Sequence, residues 1–315
     1  MKDPAAAPDL TANPPHALLR WRIAAPFLLV ALIWGSTWYV ITGQISQVPP
    51  SWSVAFRFAL ATPAMFALAL ATGKSLRIPR AGHVLALALG LFQFCGNFNF
   101  VYRAEAHLTS GIVAVMFALL MVPNALFARA LLGQRITPRF IAGSAVAIAG
   151  VALLLVEEAR TAPLDGNVAL GVALTVGGIL SASIANVIQA NETGRALPLA
   201  SLLAWAMLYG TLIDAALAFA TEGPPVVPGS AAFWGGTAWL AIAGSVVTFP
   251  LYYGIVRAIG PGRAAYNGVL VVVIAMLIST LIEGYAWSTL AAAGAVLGMA
   301  GMLIALRAKS APSEN

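Results

Sequence analysis

The stretch Ser110–Ala128, SGIVAVMFALLMVPNALFA, contains no charged residue and is long enough to cross a lipid bilayer as one helix. Its apolar side chains do not alternate with polar ones, which argues against a strand of a membrane-spanning barrel. The stretch belongs to one of ten apolar runs in the chain. These runs cover roughly residues 23–43, 52–72, 82–101, 108–128, 139–156, 167–189, 197–219, 233–254, 263–283 and 287–306. The pattern predicts an all-α polytopic membrane protein with ten transmembrane helices.

The composition agrees with a membrane protein. Of the 315 residues, 60% are hydrophobic and 9% are charged, whereas soluble domains average about 45–50% apolar and about 25% charged residues. The net charge of +6 comes from basic residues that separate the apolar runs, so we expect the lipid bilayer and no nucleic acid as a partner. One cysteine, Cys95, allows no internal disulfide, and the three histidines are widely scattered. We therefore expect no metal site and no cofactor.

Two short tails flank the apolar runs. Residues 1–22 are rich in proline and alanine and are predicted to be a disordered cytoplasmic tail, and residues 308–315 form a second cytoplasmic tail. The run 23–43 follows basic residues, as in a signal peptide, but it exceeds the usual apolar length of about 7–15 residues. We interpret it as an uncleaved first transmembrane helix.

The basic residues predict the orientation of the helices. If both termini are cytoplasmic, 14 of the 17 lysines and arginines fall in cytoplasmic segments. Arg103 and Arg160 then lie outside, and Arg57 lies within a helix. Cytoplasmic loops of membrane proteins carry an excess of lysine and arginine. We therefore predict a multi-pass protein of the plasma (inner) membrane with both termini in the cytoplasm.

The two halves of the chain resemble each other at an offset of 151 residues. Without a gap, this offset aligns Tyr102 with Tyr253, and it aligns four glycines, 111, 133, 143 and 150, with glycines 262, 284, 294 and 301. Five helices separate equivalent positions, so the copies have opposite orientations in the membrane. We predict two repeats, 23–156 and 167–307, although glycines also mark helix ends and close packing. Inverted repeats are typical of secondary transporters.

Four segments carry a resemblance to a known family: IWGSTWYV (33–40), VAFRFALA (54–61), the opening stretch, and ITPRFIAGSAVAIAGVALLL (136–155). Together they resemble the EamA-type ten-helix branch of the drug/metabolite transporter superfamily. The resemblance implies a five-plus-five inverted repeat, cytoplasmic termini, a central cavity and export of small metabolites or drugs. The matching positions are Trp34, Gly35, Arg57 and Pro123. The family often has Gly-Glu after helix 4, where this chain has Gly133 and Gln134.

Charged residues within transmembrane helices are rare and suggest function. Arg57 could hold a substrate carboxylate or form a gating ion pair, or its long side chain could reach the membrane interface beside Trp52. Asp214 and Glu283 could pair with Arg57 or exchange protons, or they could simply lie at helix ends. Pro123 within helix 4 could act as a hinge or produce a static bend.

Amides and aromatic residues also occur within several helices. Gln93 and Asn97 are spaced to share a helix face, and Asn99 is the better candidate for a structural hydrogen bond. We predict that a central cavity is lined by Trp34, Trp38, Gln93, Asn97, Tyr102, Asn186, Tyr252, Tyr253 and Asn267. Such groups suit a zwitterion, an aromatic amino acid or an organic cation. The alternative is that these side chains bond neighbouring helices to each other.

The predicted function is export of a small-molecule substrate by alternating access, either secondary active or facilitative. A membrane-embedded enzyme on lipid-linked substrates would need an acid–base or nucleophile constellation, and the sequence shows none. A non-transporting channel or scaffold remains a further alternative. Gly294 and Gly298, spaced as in a dimerisation motif, allow a homodimer or packing within one chain.

Overall fold

The computed structural model of the chain describes residues 20–132, 135–161, 167–259, 264 and 266–307. The predicted C-terminal tail lies outside these ranges, as do most of the N-terminal tail, Gly133, Gln134 and Gly262. Within them every regular element is helical, and the main helices are α1 (Trp21–Ile45), α2 (Pro50–Ala71), α3 (Arg80–Ala104), α4 (Ser110–Leu131), α5 (Pro138–Thr161), α6 (Val168–Gln189), α7 (Leu199–Glu222), α8 (Ala231–Ile255), α9 (Tyr266–Ile282) and α10 (Thr289–Leu306). A short helix, Glu192–Ala196, joins α6 to α7.

Nine of these helices, with 18–25 residues, are long and apolar enough to cross a membrane, and α9 is a shorter apolar helix of 17 residues. This result confirms the predicted all-helical polytopic membrane protein.

Specific residues stabilise the ends of several helices. Asn167, Ser230 and Ser288 each accept a hydrogen bond from a backbone amide in the first turn of α6, α8 and α10. Gly223, which ends α7, adopts a φ of 79° that favours glycine.

Helices of the first half of the chain pack mainly against helices of the second half. The most extensive contacts join α5 to α10 and α2 to α7, which are equivalent helices of the predicted repeats. In the same way, α1 packs on α8 and α9, and α6 packs on α3 and α4. This pattern is what two related five-helix units would produce. The boundaries 23–156 and 167–307, and the opposite orientation of the units in the membrane, remain predictions.

Glycines bring α5 and α10 into close contact. A Cβ atom at Gly150 would overlap the backbone of Gly298, and one at Gly143 would overlap the backbone of Ala305. A Cβ at Gly294 would lie 2.8 Å from the carbonyl oxygen of Gly150. The spaced pair Gly294 and Gly298 therefore packs within the chain in this structure.

Three helices depart from regular α-helical geometry. Helix α3 contains a π-helical segment at Gly90–Asn97, and α8 contains one at Trp239–Val247, at nearly equivalent places in the two halves. Such segments often occur at functional sites. Helix α4 tightens into a 3₁₀ turn at Ala118–Leu120. This turn directly precedes the region of Pro123, which lacks a backbone N–H and crowds the carbonyl of Leu119. A hinge at Pro123 stays a prediction.

Candidate functional site

A cavity of about 270 Å³ lies between the helices and is the centre of the candidate site. Eight helices contribute to its wall, including members of both halves of the chain. Residues of the wall that the sequence had singled out are Trp34, Trp38, Arg57, Gln93, Asn97, Asn186, Tyr252 and Tyr253. The structure thus brings these side chains together, and their role in substrate binding remains a prediction.

The π-helical segment of α3 supplies the amides of the wall. Gln93 lies within the segment and Asn97 ends it. The Asn97 side chain is 4% exposed, and its Oδ1 atom has no hydrogen-bond partner among the described residues. A buried amide oxygen without a donor is costly. Asn97 is therefore available to accept a hydrogen bond from a bound molecule.

Aromatic rings form a second part of the wall. The ring of Trp34 lies 5.0 Å from that of Tyr252 and 5.8 Å from that of Phe249, and its Nε1 atom donates to the Gly244 carbonyl at 3.3 Å. Trp38 contacts Phe117 with ring centroids 5.3 Å apart. The faces of such rings attract cations.

Polar pairs connect different helices near the predicted cytoplasmic end of the cavity. Asn186 of α6 donates to Asn124 of α4 at 3.5 Å, and the Tyr253 hydroxyl donates to Gln189 at 2.7 Å. The first pair joins the two halves of the chain, and the second joins two helices of the second half. These contacts show that amides at the cavity wall, such as Asn186, also bond neighbouring helices to each other.

Arg57 turns into the protein rather than towards the membrane interface. Its side chain is 2% exposed and bonds the Tyr102 hydroxyl at 3.3 Å, the Ser245 hydroxyl at 3.2 Å and the Gly244 carbonyl at 3.4 Å. The guanidinium carbon also lies 4.3 Å from the centre of the Phe98 ring. None of these partners carries a negative charge. Arg57 thus places a positive charge at the wall of the cavity and forms no salt bridge with a described acid, although its charge acts on the buried Glu105.

Two predicted wall residues do not line the cavity. Tyr102 is fully buried behind the wall, where its hydroxyl accepts from Arg57. Asn267 faces α1 and donates to the Phe27 carbonyl at 2.7 Å. Both side chains are used to bond helices to each other, which their residue type alone could not reveal.

The predicted carboxylate partners of Arg57 lie elsewhere in this structure. Asp214 accepts a hydrogen bond from Asn99 at 2.8 Å, and Glu283 accepts one from Ser110 at 2.6 Å. Arg57 instead faces α8, where its donors find Gly244 and Ser245. An ion pair joins Arg103 to Glu222 at 2.8 Å.

Glu105 and Glu158, which were not predicted from the sequence, lie with Glu283 at the predicted outer end of the bundle. Glu158 accepts from the Thr109 backbone amide at 2.8 Å, close to where Glu283 bonds Ser110. Glu105 is 7% exposed, and both of its carboxyl oxygens lack a partner in the described part of the chain. Acids next to helix ends on the same predicted side would have been a signal for this group.

Because Glu105 is buried, we expect the folding stability of the protein to depend on pH. Burial raises its pKa well above the ordinary value of 4.5; the nearby Glu283 charge adds to this effect and Arg57 opposes it. The folded protein then holds this proton more tightly than the unfolded chain, so stability is greatest at low pH and falls as the pH rises through the folded pKa. We expect Glu105→Gln to raise the melting temperature at about pH 8 and to flatten its dependence on pH. Thermal unfolding in detergent measures this, with the exposed Glu192→Gln as control. An unchanged slope in Glu105→Gln would contradict the assignment.

Several known proteins are similar to this chain over most of its length. Residues 21–156 match the EamA-like transporter family. The protein PagO of Salmonella typhimurium is 25% identical over 293 residues, which cover 92% of this chain and 94% of that protein. A protein of the same organism named "Probable amino-acid metabolite efflux pump" is 27% identical and covers 88% of this chain and 92% of its own length. The "Uncharacterized inner membrane transporter YedA" of Escherichia coli is 27% identical, with 80% of both chains covered.

A solved crystal structure shares the fold. It superposes with a TM-score of 0.66 at 22% identity, covering 90% of this chain and 97% of the other. Together, the relatives and the apolar helices identify a multi-pass inner-membrane protein. The match of residues 21–156 to the EamA-like transporter family and the names of the relatives identify the chain as a transporter rather than an enzyme.

Proposed function

We propose that the chain exports small metabolites that carry a carboxylate, with amino acids and related zwitterions as the substrate class, by alternating access. The observation that carries this proposal is the buried guanidinium of Arg57 at the cavity wall, which forms no salt bridge with any described acid. A charge inside a membrane is stabilised by an opposite charge. A substrate carboxylate would supply that charge, whereas an organic cation would be repelled.

The other wall residues suit the second charge of a zwitterion. The unpartnered Oδ1 atom of Asn97 can accept from an ammonium group, and the Trp34 and Trp38 rings offer cation–π contacts. The volume of about 270 Å³ is slightly below the range of about 300–1,000 Å³ that holds drug-sized ligands. These features favour a metabolite of amino-acid size over a larger drug. The name of one relative, an amino-acid metabolite efflux pump, points to the same class.

The position of the cavity is consistent with an inward-facing state. Its wall extends to Leu306, the last residue of α10 at the predicted cytoplasmic end. At the opposite end, the Arg103–Glu222 ion pair and the Glu283–Ser110 hydrogen bond join helix ends to one another. We infer that transport requires these contacts to separate while the cytoplasmic end closes, as in the rocking of repeated units.

Counterflow in proteoliposomes tests the proposal. Vesicles loaded with an unlabelled amino-acid mixture should take up a radiolabelled amino-acid mixture transiently and saturably, and faster than empty vesicles. Flux that rises linearly with concentration and gains nothing from internal amino acids would indicate a channel. Uptake of a quaternary ammonium dye with no amino-acid flux would overturn the proposed substrate class.

A further inference from the structure

A buried carboxyl outside the cavity remains unexplained by substrate binding. Asp214 lies on α7, which packs against α2 and α3, and its side chain is 0% exposed. Its Oδ1 atom accepts from the Asn99 amide at 2.8 Å. Its Oδ2 atom and the Asn99 Oδ1 atom have no hydrogen-bond partner among the described residues. Two buried acceptor oxygens on neighbouring side chains thus lack a donor.

The basic groups near Asp214 are already bound to other partners. On α2 the sole titratable residue is Arg57, which bonds Tyr102, Ser245 and Gly244. On α3, Arg103 pairs with Glu222 of α7 itself.

The remaining titratable groups of α3 and α7 do not supply a positive charge to Asp214. Cys95 of α3 lies beside Asp214 and Asn99, and Tyr102 is bonded to Arg57. Further along, His83 of α3 and Tyr209 of α7 bond each other at 2.8 Å, and the other base of α3, Arg80, begins that helix. An ionised Asp214 would therefore depend on the Asn99 amide and the weak thiol donor of Cys95, with no positive charge beside it. Because an unpaired charge in this environment is costly, a bound proton is the favoured state.

The contacts of Asp214 connect it to the cavity through α3. The Asn99 amide that holds Asp214 also donates to the Cys95 carbonyl at 3.1 Å, and Cys95 belongs to the π-helical segment Gly90–Asn97. The same segment places Gln93 and Asn97 on the cavity wall. Asp214 therefore contacts the segment through Asn99 and Cys95, and a bound substrate would contact the same segment through Gln93 and Asn97.

We propose that Asp214 is the proton-binding site of this transporter, and that Asn99 and the π-helical segment of α3 make proton and substrate compete. Loading of substrate from the cytoplasm breaks the O–H bond of the Asp214 carboxyl, and the proton passes to water. In the outward-facing state, a proton from outside re-forms that bond as substrate leaves. The inference rests on the proposed transport function, and it adds the ion that drives it.

A proton gradient across proteoliposomes tests this inference. With one proton exchanged per substrate, each pH unit supports about tenfold accumulation of a radiolabelled amino-acid mixture in wild type. We expect Asp214→Asn to lose this accumulation and to retain counterflow, because asparagine keeps the size and the acceptor for Asn99. Asp214→Glu should restore dependence on the gradient. As a control, Glu192→Gln removes an exposed acid on the short helix that precedes α7, and it should keep gradient-driven accumulation.

A second measurement detects proton release directly. Addition of the unlabelled amino-acid mixture to purified wild type in weak buffer should release protons, detected with a pH dye, and Asp214→Asn should release none. Gradient-driven accumulation by folded Asp214→Asn, or no proton release by wild type that shows counterflow, would overturn the inference. Absence of counterflow in wild type would instead overturn the proposed function.

Discussion

Replacing Arg57 with glutamine is expected to abolish amino-acid counterflow while leaving most of the protein folded. The guanidinium is the positive charge that we assign to the substrate carboxylate, and it is buried at the cavity wall. Loss of one partner of a buried, hydrogen-bonded charge pair costs about 2–5 kcal/mol or more. That cost corresponds to a loss of affinity of roughly 30-fold to several thousandfold. Glutamine keeps donors for some of the present partners of Arg57.

Two further variants make the Arg57 result interpretable. Arg57→Lys keeps the charge but loses the planar set of donors that reaches Tyr102, Ser245 and Gly244 together, so we expect intermediate transport. Arg195→Gln removes an exposed arginine that does not line the cavity, and counterflow should persist. Rates are compared at equal amounts of monodisperse protein. Normal counterflow in Arg57→Gln would refute the assignment of a carboxylate-bearing substrate.

Replacing Gly150 with leucine is expected to leave little folded protein. At this position α5 lies so close to α10 that even a Cβ atom would overlap the backbone of Gly298. Backbone cannot move aside as the end of a flexible side chain can, so the two helices must separate. Overpacking of a well-packed interior usually costs about 1–3 kcal/mol and occasionally more. Here the separation would also disturb the neighbouring close contacts of Gly143 and Gly301, which raises the cost.

The matched control is Gly235→Leu. Gly235 lies on α8, where a Cβ atom would have no neighbouring atom within 4 Å, and it is exposed at the protein surface. We expect this variant to be produced and to unfold like wild type, since helix propensity favours leucine over glycine. Size-exclusion profiles and melting temperatures of the two variants measure the difference. Equal yields and equal melting temperatures would show that α5 and α10 are not held by this glycine contact.

The helices and their number could be predicted from the sequence because each helix needs its own run of consecutive apolar residues to cross the bilayer. About 20 apolar residues are needed for a span, and the runs had that length wherever they occurred. The shorter α9 still appeared as an apolar run. Offset glycines such as 143 and 294 indicated related halves, and these two now lie in the α5–α10 contact.

The candidate site was predicted in part. Residue type placed Gln93 and Asn97 among possible wall residues, and the structure puts both there. It could not distinguish them from Tyr102 and Asn267, which have the same chemistry but bond other helices. The choice depends on how each helix is rotated, and the π-helical segments change that rotation within α3 and α8.

The sequence by itself determined an all-helical membrane protein and its resemblance to EamA-type transporters, because hydrophobic length and resemblance are properties of consecutive residues. Only the tertiary structure decided which polar groups meet. Arg57 bonds Ser245, which is 188 residues away, and Asp214 bonds Asn99, which is 115 residues away. Such partners depend on packing between helices rather than on sequence spacing. For that reason Asp214 and Glu283, which could have paired with Arg57, bond Asn99 and Ser110 instead, and the guanidinium at the cavity wall forms no salt bridge with a described acid.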